Sequence, residues 1–428
     1  MALRKGERGT GSAGPSESAN SGAGGEAGGR ARRAGARGVT FPAGFSAGAA
    51  AAGVKDGTIG RLDVALLAAD RPCTAVAVFT TNQVVAAPLV VTRKHLGGGE
   101  LRGVVVNSGN ANACTGAQGE RDALAMAAAA AAKLGCPAGS VAVASTGVIG
   151  IPLPVDRIAK AVDRITPDAA GWDDFSRAIM TTDTRPKVAE REVWLGGQPV
   201  RIGGVAKGAG MIHPNMATLL VFLTTDAVLD VPGAAAALRV AVDASFNAIS
   251  VDGDTSTNDM TLLLASGASG IKPEGREADA FTSALTEVCG DLARQVVADG
   301  EGATKVFEVR VEGAASDDDA RLAARTITTS NLVKTAIHGA DPNWGRILAA
   351  AGRSGARVDP RRASVRIGDI LVFSAGSPAK WEAAAVRRVF EAKEIVIALD
   401  LGIGAGSARA WGCDLSAEYV RVNSEYTT

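Results

Sequence analysis

The segment Lys207-Gly-Ala-Gly-Met-Ile-His-Pro-Asn-Met-Ala-Thr218 runs directly into the apolar residues 219–223. A glycine-rich loop carrying one lysine narrows to a proline, then to the small Ala217, then to a threonine at the mouth of a strand. This is a place for a nucleophile made by self-cleavage. The Thr218 hydroxyl attacks the Ala217 carbonyl, an N-to-O acyl shift gives an ester, and hydrolysis frees the Thr218 α-amine. With a reference pKa of about 8, that amine serves as base for its own hydroxyl, so acyl transfer needs no histidine. The chain has only three, His95, His213 and His338, and no HExxH, which leaves few ways to build a Ser-His-Asp triad or an imidazole metal site. From the pattern alone, the plainer reading, a threonine that merely opens a strand, is the stronger one.

Other constellations are weaker. Asp252-Gly-Asp-Thr-Ser-Thr-Asn-Asp259 places oxygens at alternate positions, like the start of a calcium loop, but Thr257 stands where that loop needs glycine and Leu263 where it needs glutamate. The segment then either lines a site or satisfies its own backbone through Asp and Thr turns. Gly402-Ile-Gly-Ala-Gly406 lacks the spacing of a dinucleotide loop and reads as a tight turn. Five scattered cysteines without CxxC imply reduced thiols in a cytoplasmic protein and no metal site.

These residues must be held by a sizeable fold. A chain of 428 residues suggests two or three structural units. Lys plus Arg equals Asp plus Glu at 45 each, and there are only 17 aromatics (10 Phe, 5 Trp and 2 Tyr), so neither a nucleic acid nor a membrane surface is an expected partner. No apolar run approaches the length of a membrane span. Of 53 glycines, 11 fall in residues 1–38, where no Val, Ile, Leu, Met or aromatic residue occurs between Arg4 and Gly38. Such a stretch has too little apolar surface to order itself, so 1–38 is read as a disordered Gly/Ala/Arg-rich extension: a leader, a start-site artefact or a dispensable tail. Beyond it, short β-rich runs alternate with Ala-rich helical ones. Strands are expected at 75–79, 89–92, 103–107, 141–145, 192–195, 218–224, 261–265, 305–311, 364–367, 370–374 and 394–399. Helices are expected near 119–134, 154–163, 170–181, 233–250, 276–298, 327–338, 343–352 and 379–389. Several strands follow each other without a helix between, which predicts mixed α/β layers over a purely parallel sheet.

Seven blocks in order make the chain resemble one family. They are Asn107-Ser-Gly-Asn-Ala-Asn112, Ser145-Thr-Gly-Val-Ile-Gly150, Met180-Thr-Thr-Asp-Thr184 with Pro186-Lys187, Lys207 to Asp226, Asp252 to Asp259, Asp299-Gly-Glu-Gly-Ala-Thr-Lys305, and the terminal Asn423-Ser-Glu-Tyr-Thr-Thr428. Together they resemble the ornithine acetyltransferases, the bifunctional glutamate N-acetyltransferases of arginine biosynthesis. The resemblance implies an N-terminal-nucleophile-like sandwich that cuts itself between Ala217 and Thr218 into an α chain, 39–217 after the extension, and a β chain, 218–428. It implies that Thr218 takes acetyl from N2-acetyl-L-ornithine and passes it to L-glutamate. Thr146 and Gly147 match the oxyanion hole, while Thr184, Lys207, Thr218, Glu301, Asn423 and Thr428 match the substrate-binding positions. Lys207 and Glu301 supply opposite charges for the two ends of a zwitterionic substrate. No resident cofactor is implied. Acetyl-CoA serves some members as co-substrate, and the absence of a phosphate-cradling P-loop does not decide that point here. A dimer of αβ units is likewise implied by resemblance. Two other readings remain at this stage, an N-terminal-nucleophile aminopeptidase or amidohydrolase that passes the acyl group to water, and a non-catalytic amino-acid-binding protein that stays uncut.

Overall fold

The structure, a computed structural model, describes residues 37–213 and 219–425. Ala217, Thr218 and Thr428 lie outside the described residues, as does the expected extension up to residue 36. Its last residue, Gly38, does not fit that expectation. Gly38 is buried at the start of a 3-10 turn, with φ of 49°, against Val205 and Val188.

In chain order the strands are β1 (Phe45–Ala50), β2 (Val64–Phe79), β3 (Glu100–Asn110), β4 (Val141–Val148), β5 (Lys187–Leu195), β6 (Gln198–Lys207), β7 (Leu220–Thr225), β8 (Ile249–Ser250) and β9 (Met260–Ala265). They continue as β10 (Val306–Ala314), β11 (Ser364–Ile367), β12 (Ile370–Ser374), β13 (Ser377–Pro378), β14 (Glu394–Asp400) and β15 (Gly406–Cys413). Among the described residues, one sheet runs β4-β3-β2-β9-β7-β6-β5 with β1 also on β2, and a second runs β13-β12-β11-β14-β10-β15-β8. Both mix parallel and antiparallel pairs, so the expected α/β layering holds.

The connections follow from local chemistry. β5 and β6 form a hairpin because Gly196 and Gly197 both take positive φ, 57° and 74°, the conformation a two-residue turn requires. β3 and β4 are parallel, which demands a crossover, supplied by helix Gly116–Leu134 and closed by Gly135 in the left-handed region. β7 and β9 are parallel through helix Val231–Ala244, whose N-terminus is capped by Asp230 on the Gly233 N–H. Helix Arg276–Ala298 presents Phe281, Leu285, Val288, Leu292 and Val296 at helical spacing and buries that stripe against β5 and β6. No helix among the described residues is long and apolar enough to cross a membrane.

Strands β1, β6 and β15 were not among those expected, and two expected elements take another form. Residues 89–92 are not a strand but part of helix Ala87–His95, which has Pro88 in its first turn and Arg93, Lys94 and His95 in its last. Those ends suit a helix dipole and override the β preference of Val90, Val91 and Thr92. The helix expected at 327–338 starts later, at Asn331–His338, where the Ser330 hydroxyl caps it by accepting from the Val333 N–H, and residues 327 and 328 instead end a separate helix, Asp317–Thr328.

Candidate active site

The C-terminal ends of β3 and β4 build one wall of a cavity of about 110 Å³. Side by side, Asn107 pairs with Ser145, Ser108 with Thr146 and Gly109 with Gly147, and the register then slips. Gly147 has φ of 133°, and a Cβ there would lie 2.3 Å from the Gly109 carbonyl carbon and 2.5 Å from the Asn110 nitrogen. Only glycine lets the strands approach so closely. Replacing Gly147 by alanine should therefore displace this wall and slow a reaction run in the cavity on the order of 10²-fold, read as kcat of the purified variant.

Asparagines hold the wall in shape. Ser145 Oγ donates to Asn107 Oδ1 (2.6 Å), Asn107 Nδ2 to the Asn110 carbonyl (2.8 Å), and Asn110 Oδ1 accepts from the Asn112 N–H (2.8 Å). Asn112 sits at φ of 47° and donates to the Gly119 carbonyl (2.8 Å), so this block is a scaffold of turns.

Lys207 ends β6 and reaches across. Its Nζ donates to Thr146 Oγ1 (3.1 Å), which leaves the threonine its own proton as a hydrogen-bond donor. Burial pulls the Lys207 ammonium below its ordinary range, opposed by the negative charges of Asp183, Asp259 and Glu301. The loop after it is pinned from several sides. The Gly208 N–H donates to Asp183 Oδ1 (2.6 Å), the Met211 and Ile212 N–H groups to the two oxygens of Asp252 (2.5 and 2.9 Å), and the Glu301 N–H to the Ala209 carbonyl (2.9 Å). Met211 is held at a positive φ of 56°, and a Cβ on Gly210 would strike the Glu301 carboxylate at 2.5 Å.

Beneath the loop lies a buried ion network. Lys187, fully buried, bonds Asp183 and, at 2.5 Å, Asp299. Burial pushes the Asp183 carboxyl up, but the charges of Lys187 and Lys207 and the hydrogen bonds from Lys187 and Gly208 outweigh it and bring it to about 2.

The structure thus gathers Thr146, Gly147, Lys207, Glu301 and Asn423 on one cavity. Asn423, on helix Ala417–Glu425, donates to Glu301 Oε2 (2.7 Å), which brings that helix to the site. Leu219, joined to Thr218 by one peptide bond, lines the same cavity. Thr184 is not among its lining residues. Its N–H donates to Asp299 (3.0 Å) and its hydroxyl bonds the same carboxylate, while Thr181 and Thr182 of its block face the cavity. His213 is engaged elsewhere, with Nδ1 at 3.2 Å from Ser250 Oγ and Nε2 at 3.0 Å from the Arg325 guanidinium. Burial and that guanidinium lower it to about 4, so it stays neutral near pH 7.

A sequence model of the ArgJ family matches residues 46–428. The chain belongs to the ArgJ family. Among relatives, an arginine biosynthesis bifunctional protein ArgJ from Symbiobacterium thermophilum is 53% identical over 400 residues, 92% of this chain and 99% of the relative. A protein of the same description from Dehalococcoides mccartyi is 48% identical over 393 residues, 91% of this chain and 97% of that one. A crystal structure of ornithine acetyltransferase complexed with ornithine from Mycobacterium tuberculosis is 44% identical, covers 42% of this chain and 96% of that chain, and has a TM-score of 0.39.

Two residues of this ArgJ chain escaped the sequence reading of its site. Asn258 donates to the carbonyls of Ala111 (2.6 Å) and Ser145 (2.9 Å), tying the segment before β9 to the Thr146–Gly147 wall. Asp259 lines the cavity. Both belong to the Asp252–Asp259 block, whose two open readings are both realised: Asp252 satisfies backbone N–H groups and Asp259 faces the site.

Proposed function

We propose that this ArgJ chain transfers acetyl from N2-acetyl-L-ornithine to L-glutamate through an acetyl-Thr218 intermediate, after cutting itself between Ala217 and Thr218. The observation that carries this is one cavity lined by a hydroxyl and a glycine of strained backbone (Thr146, Gly147), a buried cation (Lys207) and an acid (Glu301), entered by the chain at Leu219. Each has work in acyl transfer. The hydroxyl of Thr146, already accepting from Lys207, aims its proton at the oxygen that becomes negative as the carbonyl is attacked, a contribution of about 3 kcal/mol per donor in other enzymes. Lys207 pairs with a carboxylate and Glu301, steadied by Asn423, with an ammonium. The α-amine of Thr218 takes its hydroxyl proton during attack and returns it to the departing ornithine nitrogen. Glutamate then attacks the acetyl ester and the same steps run in reverse.

Support for the assembly, αβ units paired as a dimer in the cytoplasm, comes from family resemblance. Purified enzyme given N2-acetylornithine and glutamate should form N-acetylglutamate and ornithine in equal amounts, followed by chromatography. Acetate as the only new acyl product would mark a hydrolase and sink the reading. Acetyl-CoA offered as sole donor, with glutamate, tests the second activity.

A further inference from the structure

A second cavity, of about 520 Å³, has no lining residue in common with the one at Thr146 among the described residues. Helix Val231–Ala244 ends on it with Asp243, helix Asp317–Thr328 contributes Arg321 and Arg325, and β15 adds Ser407, Arg409 and Trp411. Local geometry explains the grouping. Arg321 and Arg325 stand at i and i+4 and so share one helix face. Ser407, Arg409 and Trp411 alternate along a strand and so share one sheet face. Because β8 pairs with β15 only at Trp411 and Gly412, that edge of β15 has no strand beside Ser407 and Arg409 among the described residues. The groove lies there.

Its charges are not balanced from within. Arg321 bonds Asp318, and Arg409 Nε lies 3.8 Å from Glu308 Oε1, so each of these has an acid on its own element or the strand beside it. Arg325 has none among the described residues. Its two terminal nitrogens donate, each at 3.0 Å, to the Asn247 carbonyl and to Nε2 of the neutral His213 ring, and both of those acceptors are uncharged. The other N–H groups of the guanidinium have no partner among the described residues. Burial lowers the proton affinity of Arg325 below the ordinary arginine range, and no carboxylate charge acts the other way. A half-buried cation without a counter-ion is unfavourable, and an anion entering the groove relieves it. The lining as a whole sets three guanidinium groups against one acid, Asp243, whose carboxylate already accepts from Asn247 Nδ2 (2.7 Å).

We propose that this groove binds a small phosphorylated molecule, with Arg325 as its principal anchor and Arg321 and Arg409 beside it. A phosphoryl group carries about two negative charges and three acceptor oxygens. It can take a forked pair of hydrogen bonds from Arg325 and still offer an oxygen to a second guanidinium, whereas a carboxylate presents one planar edge that a single fork occupies. The excess of arginine over acid therefore fits phosphate chemistry better than a carboxylic acid. Size points the same way. The groove falls within the roughly 300–1,000 Å³ of ordinary small-molecule sites, more than a lone phosphate fills. Half-buried Trp411 offers an indole to the rest of the ligand. The phosphoryl group is the common requirement, and it can arrive on a planar base or as a free phosphate. The inference does not depend on how Thr218 is processed.

The test is calorimetric titration of the purified full-length protein at low salt, with inorganic pyrophosphate, ADP and succinate as probes. Pyrophosphate and ADP should each bind at one site per copy of the chain, with succinate weaker by about 10-fold or more. Arg325→Gln, which can still donate to the Asn247 carbonyl, should weaken both phosphate probes on the order of 10-fold. ADP binding tighter than pyrophosphate, with a change in tryptophan fluorescence that Trp411→Phe abolishes, supports the site with a base-bearing ligand. Equal affinities without that change support it with free phosphate. The proposal is overturned if neither phosphate probe binds at millimolar concentration, if succinate binds as tightly as pyrophosphate, or if Arg325→Gln leaves the affinities unchanged, since the probes are then held elsewhere. Should Arg325→Gln fail to melt cooperatively, the double variant Arg321→Ala, Arg409→Ala decides, because both side chains are exposed and their loss leaves the core intact. It should weaken pyrophosphate several-fold, and an unchanged affinity overturns the proposal.

Discussion

Thr218→Ala should run as a single band at the full chain mass of 43.1 kDa and form no N-acetylglutamate, where the wild type should run as two bands of 217 and 211 residues. Both losses come from one oxygen. Alanine has no hydroxyl to attack Ala217, so the chain stays joined, and no α-amine or ester-forming group is ever released. The expected fall in kcat is about 10⁶-fold, the size seen when a covalent nucleophile is removed elsewhere. Thr146, Gly147, Lys207 and Glu301 are untouched by the change, so the variant should still melt cooperatively. Thr218→Ser, which keeps a hydroxyl, should be cut and keep measurable transfer. A cut Thr218→Ala chain, detected by mass spectrometry of its fragments, would place the nucleophile elsewhere.

Lys187→Met should be the most destabilising single change near the site. It leaves Asp183 and Asp299 buried beside each other without their shared cation. Breaking a buried ion pair from one side costs about 3–5 kcal/mol, a shift readily seen in the urea midpoint of unfolding. Activity should fall as well, because Asp183 holds the Gly208 N–H next to Lys207 and Asp299 holds Thr184. The network also sets an acid dependence. The Asp183 carboxyl is lowered in the folded chain to about 2 from 3.8, so its contribution is present above the unfolded value and is lost as pH falls through about 2. Wild-type stability should therefore drop between pH 4 and pH 2, and the methionine variant should lose that part of the slope. Equal midpoints for the two proteins at pH 7 would remove the network from the stability argument.

What the sequence makes legible follows from how local each signal is. The ends of helix Arg276–Ala298 are as expected because its apolar stripe is regular and it is bounded by Gly275 and Asp299. β6 was not anticipated, because Gly203 and Gly204 interrupt its pattern. Their reason is tertiary: a Cβ on Gly203 would sit 2.0 Å from the Gly38 carbonyl oxygen, and one on Gly204 2.8 Å from Leu223. Helix Asp317–Thr328 was missed although Ser316 and three aspartates announce it, since its burial on β15 and β10 is not encoded in its own residues. In the site, motif blocks marked Thr146, Gly147, Lys207, Glu301 and Asn423, but not which of them touch. The separation of Thr184 from the cavity and the place of Asp259 in it depend on packing between segments more than 100 residues apart, such as Thr184 against Asp299.

The strand order has a further consequence for a chain cut before Leu219. β9 and β7, from the later piece, lie between β2 and β6, from the earlier one. Each is stitched to its foreign neighbour along six paired residues, Thr74 to Phe79 on one seam and Ile202 to Lys207 on the other. The halves are therefore interleaved and cannot be pulled apart as intact bodies. Separation requires opening two interior ladders and exposing the apolar faces they cover, so the pieces should part only under denaturing conditions. The later half keeps the second sheet whole but holds only β7 and β9 of the first, whose other strands belong to the earlier half. The uncut chain would thus be the folding unit for the shared sheet, and a two-piece enzyme a state reached only through it.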